Sequence, residues 1–131
     1  MNVIFFWREA AGWNPDSWFL ANHCELTADG RNLLYKDGEW IAIDQSHAVL
    51  NDYEQSEALK ISSRFVDAHP FSIQWRGDSM FKMFIRSIPE DVHLVLDNDY
   101  GLVCNFNAVR RLPVESWLRR KNLDGIEGKG P

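Results

Sequence analysis

Asn2–Trp7 runs Asn-Val-Ile-Phe-Phe-Trp, a β-branched and aromatic stretch that predicts a strand. Gly12, Asn14, Pro15 and Asp16 then mark a loop. From Ser17 to Leu26 apolar and polar positions alternate. Trp18, Leu20, Asn22, Cys24 and Leu26 share one side and Phe19, Ala21, His23 and Glu25 the other, which predicts a second strand. Asn32–Lys36 and Glu39–Asp44 flank Asp37-Gly38. An Asp-Gly pair between apolar segments predicts a tight hairpin, because a type I′ turn needs positive φ at both central residues.

Helical spacing follows. Ala58, Leu59, Ser62, Phe65, Val66 and His69 recur on one side, with Asn51 or Asp52 as cap and the His69-Pro70 step as terminator. Phe71–Arg76 reads as a strand. Gly77-Asp78-Ser79 opens a second helix, Met80–Ile88, with Met80, Met83, Phe84, Ser87 and Ile88 as its stripe. Val92–Asp97 and Leu102–Phe106 form two strands around Asn98-Asp99-Tyr100-Gly101, and Pro113 starts a third helix with Val114, Trp117 and Leu118 inward. Trp7, Phe19, Phe65, Phe71 and Trp75 are the expected core aromatics. Hairpins outnumber βαβ crossovers. The expectation is an α+β domain, residues 1–122, with a largely antiparallel sheet of about seven strands and three helices packed on it. A glycine-rich tail, residues 123–131, follows.

Length and composition change this picture little. The chain has 131 residues, 45% apolar and 25% charged, which suits one self-sufficient core. No apolar run approaches the roughly 20 residues that span a bilayer, and no basic stretch precedes the apolar opening as a secretory signal requires. A cytoplasmic protein is expected. Cys24 and Cys104 lie far apart in sequence and read as reduced, buried thiols rather than a disulfide framework.

Charge is more informative. Sixteen acids against eight bases leave residues 1–109 at −8, whereas residues 110–121 carry Arg110, Arg111, Arg119, Arg120 and Lys121 against Glu115. A negative body disfavours a phosphate backbone as the main partner and favours a basic protein.

Catalytic patterns are sparse. His23, His47, His69 and His93 show neither HxH nor HExxH spacing, so no metal is expected. No GxSxG, SxxK, GxGxxG or GxxxxGK[ST] occurs, and no cofactor is expected. Glu90-Asp91 and the pair Asp97 and Asp99 lie at turns, where backbone bonding explains them. Two alternatives stay open. Cys24 with a spatially adjacent histidine could act as a nucleophile. The basic 110–121 helix could bind nucleic acid, with Trp117 stacking a base.

Six Trp, eight Phe and three Tyr exceed what one small core obviously needs. Several stand beside acids, the composition of an interface hot spot. The candidate partner-binding residues are Asp37, Glu39, Trp40, Asp44, Tyr53, Glu54 and Glu57, with Asp97, Asp99 and Tyr100 as a second patch. Acids would steer a basic partner and aromatics would anchor it.

A small, acidic, Trp-rich α+β chain without a catalytic motif resembles the immunity proteins that bacteria make against contact-delivered or polymorphic toxins. The resemblance is one of type across the whole chain. It implies a non-enzymatic protein that binds and occludes one basic cognate toxin, such as a nuclease. Ile88-Pro89-Glu90-Asp91 is similar to the Leu-Pro-x-Asp-Tyr segment of one immunity family, but a strand is expected after it where that family has a helix, and Asn-Gly-Gly is missing.

Overall fold

The computed structural model describes residues 1–8, 12–45 and 68–122. The expected helix before Pro70 and the glycine-rich tail lie outside the described residues, apart from the helix's expected end at Ala68 and His69. Seven strands form one sheet: β1 Asn2–Trp7, β2 Glu25–Leu26, β3 Asn32–Lys36, β4 Glu39–Asp44, β5 His69–Arg76, β6 Val95–Asp97 and β7 Val103–Asn105. Their order is β2-β3-β4-β5-β1-β6-β7, and every neighbouring pair is antiparallel. Three α-helices accompany them among the described residues: α1 Ser17–Ala21, α2 Asp78–Ser87 and α3 Val114–Trp117. The fold is α+β. Among the described residues no helix is long and apolar enough to cross a membrane.

The pleat sorts each strand into two faces. One face carries Val3, Phe5 and Trp7 of β1, Ile41 and Ile43 of β4, and Phe71, Ile73 and Trp75 of β5. The helices lie on this side. Met80, Phe81, Phe84 and Ile85 of α2 join the same core, as do Val114 and Trp117 of α3. Phe5 stacks on Phe71 at 5.2 Å, and Trp75 lies parallel to Phe81 at 3.8 Å. The opposite face is called the outer face here. It buries Ile4, Phe6 and Val95 in a smaller cluster.

Several expectations need correction. Ser17–Leu26 is not a strand. Asn14-Pro15-Asp16 turns the chain into α1, and His23 ends the helix at φ +60, in the left-handed position usually held by glycine. Cys24 N then donates to the Phe19 carbonyl at 3.1 Å and His23 N to that of Leu20 at 3.2 Å, the pattern of a Schellman cap. His69, expected on the helical stripe, is instead extended: with Pro70 it opens β5, opposite Trp7 and Phe6. Pro70 is tolerated because β4 pairs with β5 only from Ser72 onward. The stripe of α2 is also rotated. Phe81 and Ile85 are buried with Met80 and Phe84, whereas Met83 is exposed.

Candidate functional site

Three side-chain carriers meet at one end of the sheet. The β3–β4 hairpin turns at Asp37 and Gly38, with φ of +53° and +80°, as the type I′ turn requires. That register sets Trp40 opposite Tyr35 on one side and Arg76 on the other, all on the outer face. Asn2 of β1 pairs with Gln74 of β5 on the same face. Gln74 Oε1 accepts from the Arg31 guanidinium at 2.5 Å.

The loop between β6 and β7 reaches the same end, and Asn98 holds it. Its side-chain carbonyl accepts from Tyr100 N at 2.8 Å and Leu102 N at 3.1 Å. Its amide donates to the carbonyls of Trp117 at 2.9 Å and Arg120 at 2.7 Å, at and just after the end of α3. One wholly buried side chain thus ties the loop to the segment after α3. Asp99 takes the left-handed conformation, φ +66°, and its N–H donates to the Asp97 carboxylate at 2.8 Å.

The result is an open cavity of about 440 Å³ between sheet face, loop and post-helical segment. Trp40 and Tyr100 supply aromatic walls, Asn2 and Gln74 an amide floor, and Asp99 and Arg119 opposite charges at the rim. Met1 and Leu118 complete it. The Asn2 side-chain oxygen is buried and has no hydrogen-bond partner among the described residues. Tyr100 remains half exposed. Aromatic walls with a few convergent polar groups suit recognition of another molecule's side chain.

The ten expected interface residues divide. Trp40, Asp99 and Tyr100, drawn from both expected patches, line this one cavity. Asp37 is exposed on the hairpin turn beside them. Glu39 points the other way, on the face of Ile41 and Ile43, where it accepts from the Ser79 hydroxyl at 2.5 Å beside the start of α2. Asp44 is half-buried at the far end of β4, and Asp97 is buried with its carboxylate turned into its own loop. Tyr53, Glu54 and Glu57 lie outside the described residues. Strand parity could have separated Glu39 from Trp40. Asn2, Gln74, Asn98 and Arg119 carried no sequence signal of this role, because long-range pairing alone gathers them.

The other chemistries fare less well. Burial pushes the Cys24 thiol above its ordinary range, a backbone hydrogen bond pulls back, and Asp16 raises it further. That disfavours the thiolate a nucleophile needs. Trp117 is buried in the core, tilted against Phe81 at 6.4 Å, and cannot stack a base. The expected 110–121 helix is not formed: α3 spans only Val114–Trp117, with Arg110 and Arg111 ahead of it and Arg119, Arg120 and Lys121 after it. Arg110 is held by the carbonyls of Ile88 and Pro89, and Arg111 pairs with Glu90 at 2.5 Å. Among the described residues no group of three or more His, Cys, Asp or Glu side chains could hold a metal.

No protein family, curated protein or solved structure matches the chain.

Proposed function

We propose that this chain is a non-enzymatic protein-binding module, and specifically an immunity protein that occludes a basic cognate toxin in the cytoplasm. The observation that carries this reading is the meeting of Trp40 and Tyr100 in one open cavity, with Asp99 at its rim and Asp37 on the neighbouring turn. Tyr35, 70% exposed and directly opposite Trp40, extends the aromatic surface toward the sheet edge. Large aromatics provide burial at low entropic cost, and flanking carboxylates draw a basic partner to them.

Immobilised protein challenged with lysate of its source cell tests this. A stoichiometric partner with a basic isoelectric point should be retained by the native chain and lost on Trp40→Ala/Tyr100→Ala. With that partner purified, Asp37→Asn/Asp99→Asn should slow association and flatten its salt dependence, since asparagine tolerates both left-handed positions. Retention of an acidic partner, or an unchanged association rate, overturns the reading.

A further inference from the structure

A second surface on the helical side carries different chemistry. Two adjoining cavities, of about 400 and 530 Å³, share Ile85, Arg86, Arg110 and Arg111. Glu90 lines the first and Glu115 the second, so the arginines occupy the middle and the acids the two ends.

Each arginine stands differently. Arg110 is fixed: its guanidinium donates to the Ile88 carbonyl at 2.5 Å, the Pro89 carbonyl at 3.0 Å and the Asn107 side chain at 2.8 Å, and it lies 4.8 Å over the Phe106 ring. All those acceptors are neutral, and among the described residues no carboxylate is paired with this charge. Burial pulls its guanidinium below the usual arginine range, Glu90 pulls it back up, and Arg111 lowers it again. Arg86 is exposed and has no hydrogen bond or ion pair among the described residues. Arg111 is paired with Glu90, but both side chains are more than 70% exposed. So exposed a pair adds little stability, and Arg111 can exchange partners at little cost. Lys82 at the far end is similarly paired with Glu115, at 2.9 Å.

We propose that this groove binds a small phosphate-bearing ligand, its phosphate held between Arg86, Arg110 and Arg111 and its organic body against Ile85 and Leu112. Guanidinium forks match phosphate oxygens two by two. A pre-fixed Arg110 loses little freedom on binding, and an anion supplies the compensation its neutral partners do not. The acids at either end select the size. A polynucleotide running along the groove would meet Glu90 or Glu115, whereas a short anion sits between them.

Titration calorimetry of the full chain with ADP, inorganic pyrophosphate and a single-stranded 20-mer in 100 mM NaCl tests this. ADP and pyrophosphate should bind. Arg86→Ala should weaken both about tenfold with little change in melting, since the Arg86 side chain makes no hydrogen bond or ion pair among the described residues. Glu90→Gln/Glu115→Gln should tighten both a few-fold. Absence of binding at millimolar ligand, indifference to Arg86→Ala, or weaker binding in the double glutamine variant overturns the proposal. Tighter binding of the 20-mer than of ADP overturns it in favour of a nucleic-acid groove.

Discussion

The Asn98 side chain reaches the Trp117 carbonyl at 2.9 Å, across 19 positions of sequence. With its bonds to Arg120, Tyr100 and Leu102 it satisfies four backbone groups from two separate segments.

Replacing Asn98 by alanine removes all four bonds inside a buried pocket. The expected loss is about 3 kcal/mol, read by urea denaturation. The partner-facing cavity should suffer with it, because the loop and the Leu118–Arg119 segment lose their common tie. A destabilisation below about 1 kcal/mol would show that solvent or neighbouring groups replace the amide.

Gly77 precedes α2 at φ +85°, and a Cβ placed there would fall within 2.4 Å of the Glu39 side-chain carbons. Gly77→Ala is therefore expected to cost about 2 kcal/mol, part backbone strain and part collision. In a Glu39→Ala background the collision disappears and only the strain remains. A double-mutant cycle should return about 1 kcal/mol of coupling, and additivity would remove the contact.

Alkylation of Cys24 should be slow at neutral pH and climb with the thiolate fraction to a midpoint above 9.0, because its thiol is shifted upward from that ordinary value. Iodoacetamide labelling followed by peptide mapping measures the profile. A labelling midpoint near neutrality would restore the thiol as a candidate nucleophile.

Asp29 is held below its ordinary value of 3.8 by the Thr27 hydroxyl, then by a hydrogen bond from Arg31. Its folded value is depressed, so its stabilising share is present above pH 3.8 and is lost as pH falls through the folded value. Carboxyl-resolved NMR titration should place its midpoint under 3.8, and Thr27→Val should move it upward. A midpoint at or above that value would contradict the hydroxyl's role.

Local patterns predicted this fold where local chemistry decides it. Asp37-Gly38 forces its turn, and Val114, Trp117 and Leu118 face inward as expected. Ser17–Leu26 misled because five residues of helix and five of strand both permit its alternation, and only Pro15 and the His23 cap break the tie. The two strand faces explain why Trp40 and Glu39, adjacent in sequence, serve different purposes. The cavity itself joins residues 2, 40, 74, 99 and 119, a grouping no short-range pattern encodes.

The strand order also dictates a schedule. β1 lies between β5 and β6, so this strand has neighbours that begin only at His69 and Val95, far later in the chain. At ribosomal rates of about 5–20 residues per second, the segment Val-Ile-Phe-Phe-Trp waits on the order of 10 s for both its flanks. During that interval it is an adhesive ribbon whose two edges stay open to any strand within reach.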